Sequence, residues 1–253
     1  MERRDLVVEY IAVTALSHVG LVREHNEDSL VIGPWTLCGT TTRSPQTLLF
    51  PLGRPLVVAV ADGLGGQPAG EVASELAVRE LALLGPTLDG AEAIEGALNL
   101  CNRAVHSATE GRPELTDMGT TVAGALVLPE SLLAFNVGDS KVYRVAEDGL
   151  RQVSVDDSPP LPPGQRTTSA VTQTLGGSRA EHVLTPHVAT FPLSTGDRYL
   201  VCTDGLTDPV PDEVIEEVLR AHDDGKAAFE LWRAAIEAGG PDNITLALVR
   251  IGA

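Results

Sequence analysis

Four aspartates occupy similar places in this sequence. Asp62, Asp139, Asp204 and Asp242 each adjoin an apolar, strand-like run, and each is followed by Gly, Ser or Asn. Taken singly, an Asp in such a place is a turn former whose side chain bonds its own backbone. Taken together with Glu27 and Asp28, in the charged patch R-E-H-N-E-D, they imply more. If they converge, like charges a few Å apart cannot all stay ionised, so either several protonate or cations bind. The clearest case is L-V-V-A-V-A-D-G-L-G-G, Leu56 to Gly66, where Asp62 ends a run that reads as a strand buried on both faces. An unpartnered carboxylate there costs several kcal/mol, and Lys and Arg are scarce in the chain.

Ligand chemistry selects the metal. Carboxylate oxygens, backbone carbonyls and water suit Mg²⁺ or Mn²⁺. The six histidines show no H-x-H or H-E-x-x-H spacing that would favour zinc. No G-x-S-x-G elbow supports a serine nucleophile, and G-L-G-G-Q lacks the Lys-Ser or Lys-Thr of a phosphate-cradling loop. Two such metals about 3.5–4 Å apart can share an activated water and bind phosphoryl oxygens during an in-line displacement. The planar fork of Arg23, beside the acids, matches phosphate oxygens and is the candidate for orienting the substrate.

Several elements must carry these residues. A first strand is expected over Leu6 to Ala15, and strand character resumes after the charged patch. Gly33 to Pro55, dense in Thr, Pro and Gly, reads as loop. Helical spacing runs over Glu71 to Leu84 and Ala91 to Ala108, two amphipathic helices in series that suggest helices layered on a sheet. From Met118 three or four short strands read as an antiparallel meander containing Asp139. Asp156 to Thr168 is an irregular Pro-rich loop, followed by a strand near Glu181 to Thr190 and by R-Y-L-V-C-T-D-G, which repeats the strand-then-Asp device. Helices over Asp212 to Ala221, with Val214, Ile215, Val218 and Leu219 inward, and over Lys226 to Ala238 precede the last strand, which follows Asp242.

The totals are consistent with one soluble domain spanning residues 1–253, without repeats or linkers. Eighteen Lys and Arg against 35 Asp and Glu give a net charge of −17, which argues against nucleic-acid and anionic-membrane partners. Three cysteines without C-x-x-C spacing indicate neither a disulfide framework nor a zinc cluster and point to a reducing cytoplasm. No apolar run is long enough to span a membrane, and the N-terminal residues lack a secretory apolar core.

Six ordered segments carry a resemblance: R-E-H-N-E-D (23–28), A-D-G-L-G-G (61–66), G-T-T (119–121), N-V-G-D-S-K (136–141), T-D-G-L-T-D (203–208) and D-N-I-T (242–245). In order and approximate spacing the chain resembles the metal-dependent, type 2C Ser/Thr protein phosphatases in their compact bacterial form. The resemblance implies an α+β fold, a four-layer αββα sandwich of two antiparallel sheets flanked by helices, with two Mn²⁺ or Mg²⁺ ions in the cleft between the sheets. It further implies that Asp62 bridges both metals and the Gly63 carbonyl binds one, while Asp204 and Asp242 complete the other. Glu27 would act through water with Asp28 supporting it, Arg23 would hold the phosphate, and Asp139 with Asp204 would form a weaker third site. Partners would be phosphorylated proteins, either the substrates of a Ser/Thr kinase or the kinase itself. The chain departs from the family at Leu64, where animal members carry a His suggested as general acid, and at 155–177, shorter than the usual flap and bearing D-D-S for D-H-S.

Two other classes fit parts of the pattern. A pseudophosphatase or phosphoprotein-binding module would keep the fold and lose a metal Asp or the Arg, yet all are present. A Ca²⁺-binding β-protein would leave the long helices and Arg23 without a use.

Overall fold

The computed structural model describes residues 9–66, 68–160, 167–168, 170–178 and 182–253. Among them the strands form two six-stranded sheets and one small one, all paired antiparallel. In chain order the strands are β1 (Tyr10–His18), β2 (Ser29–Ile32), β3 (Trp35–Cys38), β4 (Gln46–Pro51), β5 (Leu56–Ala61) and β6 (Gly63–Leu64). After helices α1 (Ala69–Leu84) and α2 (Ala91–Ala108) come β7 (Gly119–Thr120), β8 (Val122–Val127), β9 (Ser131–Val137), β10 (Lys141–Ala146) and β11 (Gly149–Gln152). The chain ends with β12 (Leu175–Gly176), β13 (His187–Pro192), β14 (Arg198–Cys202), a one-turn helix α3 (Asp204–Thr207), α4 (Asp212–Ala221), α5 (Asp224–Glu237) and β15 (Ile244–Gly252). The first large sheet runs β11-β10-β14-β15-β1-β4, the second β13-β9-β8-β5-β2-β3, and β12-β7-β6 form the third.

Three apolar layers explain why these segments are strands at all. Along β5, Val57, Ala59 and Ala61 pack with α1 and α2, whereas Leu56, Val58 and Val60 face the other large sheet. Both faces are therefore covered, which is why the run is continuously apolar rather than alternating. β15 repeats the scheme: Leu246 and Leu248 meet α4 and α5, while Ala247, Val249 and Ile251 join the core between the sheets. The order helix, sheet, sheet, helix is the four-layer αββα sandwich expected from the resemblance. By the two-residue period of β5, Asp62 follows on the inter-sheet side.

Several expectations need correction. Residues 33–55 are not all loop: β3 and β4 lie there, at the outer edges of the two large sheets. Edge strands are only half covered and tolerate Thr and Pro, so their sequence carries little strand signal. The segment after Met118 is not one meander, because β8 and β9 belong to the second sheet and β10 and β11 to the first. The turn holding Asp139 is the crossover between them. The first strand begins at Tyr10 and extends to His18, residues 6–8 lying outside the described residues. The strand expected near Glu181 is β13, starting at His187, and Glu181 also lies outside the described residues. Val214 is exposed rather than inward, and α5 starts two residues early because Asp223 caps it, accepting from the Lys226 amide at 2.9 Å. Among the described residues no helix is long and apolar enough to cross a membrane.

Gly124 and Phe135 face each other across the β8–β9 ladder, where a Cβ on Gly124 would stand 2.5 Å from the Phe135 ring. Phe135 is fully buried against the α1–α2 layer. Phe135→Ala is expected to cost about 3–5 kcal/mol of stability, measured by urea unfolding.

Candidate metal centre

The carboxylates arrive at one end of the sandwich by separate routes. Asp62 leaves β5, and its backbone is held by the G-T-T segment: the Thr121 amide and the Thr120 hydroxyl both donate to the Asp62 carbonyl, at 2.9 and 2.8 Å. The Thr121 hydroxyl, 2.7 Å from that of Ser140, also receives the Asp62 amide at 3.3 Å. One short network thus ties the Asp62 strand end to the turn carrying Asp139. Asp204 opens α3 directly after β14, and Gly205 must follow it, since a Cβ there would stand 1.8 Å from the Asn243 carbonyl. Gly63 is equally forced, with 2.2 Å between its would-be Cβ and the Gly70 carbonyl oxygen.

A cleft of about 310 Å³ brings together Arg23, Glu27, Asp62 and Gly63 with Asp139, Asp204 and Asp242. Leu64 also lines it and adds only an apolar wall. Asp28 is the exception among the expected residues. Its carboxylate lies behind the wall, 1% exposed, where the Thr203 hydroxyl donates to one oxygen at 2.9 Å. Arg23 donates to the Asp242 carboxylate at 2.7 Å, so it pairs with one of the aspartates rather than with the acids of its own turn.

Asn243 holds the Glu27 turn in place, a role the sequence reading did not assign. Its side-chain oxygen accepts from the Glu27 amide at 2.7 Å, and its amide donates to the carbonyls of Val19 and His25, each at 2.9 Å. Ser74 of α1 adds a bond to the Glu27 carbonyl at 2.5 Å. The signal for Asn243 was its place between Asp242 and a buried strand, but an Asn beside an Asp is also an ordinary turn pair.

Burial sets the electrostatics. It pushes the Asp62 carboxyl far above the usual carboxylate range, with the Asp204 and Asp28 charges adding to the rise. Asp28 is raised to about 7 by burial, against the opposing hydroxyl bonds of Thr245 and Thr203. Asp204 rises to about 6 through burial and then Asp208, and Asp139 to about 6 through burial and then Asp204. Glu27 is raised by burial, with Arg23 opposing.

Among the described residues, no three His, Cys, Asp or Glu side chains stand, as placed, in a set that would hold a metal ion. Arg23 is engaged with Asp242, and the Asp204 charge is among those that raise the Asp62 carboxyl. The donor set nevertheless fits a hard divalent cation. Among the described residues, one oxygen of Asp204 and one of Asp28 are buried without a hydrogen-bond partner, an arrangement that is costly for carboxylates unless a cation faces them.

Comparison with known proteins identifies the class. The family described as Protein phosphatase 2C matches residues 51–241, and the chain belongs to that family. Among its relatives, the Mycobacterium tuberculosis Serine/threonine protein phosphatase PstP is 33% identical over 99% of this chain and 46% of its own length. The Listeria monocytogenes Serine/threonine phosphatase stp is 32% identical over 91% of this chain and 92% of its own length. The chain thus spans about half the length of PstP. A crystal structure of PstP superposes with a TM-score of 0.80 at 31% identity, covering 96% of this chain and all of that one. The PstP catalytic domain solved in complex with two manganese ions gives a TM-score of 0.77, also at 31% identity, over 97% of this chain and 100% of that one.

The raised carboxyls give a pH dependence with a definite sign. Between the unfolded value of about 3.9 and the folded values, the native chain holds protons that the unfolded chain has lost. With metal removed by chelator, stability should therefore fall as pH rises from about 4 through about 7, the folded value of Asp28. Saturating Mn²⁺ should abolish or reverse that slope, because ligands bind metal deprotonated. Thermal melts at pH 5.5 and 8, with EDTA and with Mn²⁺, check this.

Proposed function

We propose that this chain hydrolyses phosphoserine and phosphothreonine on proteins in a reaction that depends on Mn²⁺ or Mg²⁺. The observation that carries the reading is the buried carboxylate oxygen of Asp204, which has no hydrogen-bond partner among the described residues, beside Asp62 in a cleft that also presents Arg23. Asp62, the Gly63 carbonyl, Asp204 and Asp242 would hold two ions, and Asp139 with Asp204 a weaker third. The PstP catalytic domain with its two manganese ions supports that count. Bound there, such cations supply charge to phosphoryl oxygens and make water a nucleophile near neutral pH.

The chain's own residues supply the rest. Arg23 is half exposed and held, among the described residues, by one ion pair to Asp242, so its guanidinium can turn to a phosphate, where both edges of its fork are used. Glu27 is held by Asn243 and Ser74 at the cleft wall, with its carboxylate ready to orient water. Asp28 lies behind Asp204 and Asp242 and acts on their placement through charge, with the Thr203 hydroxyl fixing its own position. Leu64 has no proton to give, so the leaving alkoxide is not protonated from that position.

The partners in this reading are phosphorylated proteins, either the targets of a Ser/Thr kinase or the kinase itself. The names of PstP and of the Listeria phosphatase support that substrate class. The three cysteines are unpaired, in keeping with a reducing compartment such as the cytoplasm.

Hydrolysis of a phosphothreonine peptide with Mn²⁺ is the test. Chelator should abolish turnover, and Asp62→Asn should lower kcat by about 10³-fold, the scale of losing a major electrostatic stabiliser. Activity that survives both would refute the mechanism. Arg23→Ala should lower kcat/KM by about tenfold to a hundredfold, matching the roughly 1.5–3 kcal/mol of a hydrogen bond to a charged group. Phosphopeptide titrations of the Ala and Lys variants measure this, with Lys expected to recover only part of the loss.

A further inference from the structure

We propose that Asp157 is a positioning residue that holds one wall of the substrate cleft against the turn carrying Asp139, and so sets how tightly an extended phosphopeptide is bound. The claim rests on the phosphatase reading and goes beyond it by assigning peptide recognition to a residue outside the metal centre.

Asp157 joins four pieces of chain. One carboxylate oxygen accepts from the Gly138 amide and from Gln173 Nε2, both at 2.9 Å, and the other meets His187 Nε2 at 2.9 Å. Its own amide donates to the Gly138 carbonyl at 2.9 Å, and its carbonyl accepts from the Thr172 amide at 2.7 Å. Gly138 directly precedes Asp139, Thr172 and Gln173 close the segment that Asp157 opens, and His187 begins β13. Gln173 extends the junction, accepting from the Thr185 amide at 2.8 Å. The Asp157 side chain is only 13% exposed, so water competes little for these bonds.

What the junction holds borders the cleft. Val171 lines the metal cleft itself. Ser158 and Thr168 line an adjoining cavity of about 350 Å³, which shares Asp139 and Asp204 with the first. Asp139 adjoins the junction through Gly138, but its turn is also tied to Thr121 through the Ser140 hydroxyl, and the other metal-centre aspartates are held apart from it. Asp62 is fixed by Thr120 and Thr121, and the Glu27 turn beside Asp242 by Asn243. A small phosphate ester needs only the centre. An extended peptide must also run along the walls, at about 3.3 Å per residue. Loss of Asp157 should therefore separate the two substrates.

The test compares p-nitrophenyl phosphate with a phosphothreonine peptide, under saturating Mn²⁺, for the wild-type chain and three variants. Asp157→Ala is expected to raise the peptide KM by about tenfold while kcat/KM for the aryl phosphate stays within about twofold. Asp157→Asn keeps an oxygen for Gly138 and Gln173 and can donate to His187, so it should restore the peptide KM to within about threefold of wild type. Gln173→Ala, which leaves Asp157 in place, should shift the peptide KM in the same direction as Asp157→Ala. Parallel losses on both substrates, or no change in peptide KM in either alanine variant, would overturn the proposal. A wild-type chain that cleaves neither substrate refutes the phosphatase reading and this claim with it, a result distinct from those of the variants.

Discussion

The structure depends on a cluster of carboxylates placed where a sandwich has least room for charge. Asp28 is wholly removed from water and Asp62 and Asp204 are half-buried, and each is raised above the ordinary carboxylate range by burial before any neighbour acts. Desolvating even one ionised carboxylate costs several kcal/mol, and here the charges add their mutual repulsion. A cation facing them would turn the same arrangement from a liability into a binding site for a hard divalent ion. Among the described residues, Arg23 lies at the cleft and pairs with Asp242 alone of these acids.

Everything around the cluster serves to hold those acids together. The two large sheets end at the cleft, and the chain crosses between them at the Asp139 turn. Glycines at 63 and 205 let backbones approach where any side chain would collide. Thr121 and Ser140 bind the Asp62 strand end to the crossover, and Asn243 binds the Glu27 turn to the last strand. Precise placement of this kind is what electrostatic catalysis requires, because reorganising the donors during reaction would forfeit most of the gain.

Much of the layered architecture was legible because buried strands and amphipathic helices write their surroundings into the sequence. The apolar run ending at Asp62 and the helix over residues 91–108 are such cases, and the observed β5 and α2 match them closely. Edge strands carry no such record: β3 and β4 are half solvated, and their Thr and Pro read as loop. The sheet change between β9 and β10 was invisible for another reason, since either sheet would accept the same apolar alternation. Within the site, the aspartates stood out because acids at the ends of apolar strands are costly. Asn243, Ser74 and Asp157 did not, because their work is hydrogen bonding to distant backbone, which leaves no pattern along the chain.

The central claim, that these acids form a site for divalent cations, is tested most directly by counting ions. Equilibrium dialysis or calorimetric titration of the chelator-stripped chain with Mn²⁺ should find about two tight sites per chain, the number the dinuclear reading requires. Asp204→Asn should lose at least one of them while the chain stays folded. Absence of tight Mn²⁺ binding by the wild-type chain, or an unchanged count in the variant, would contradict the account.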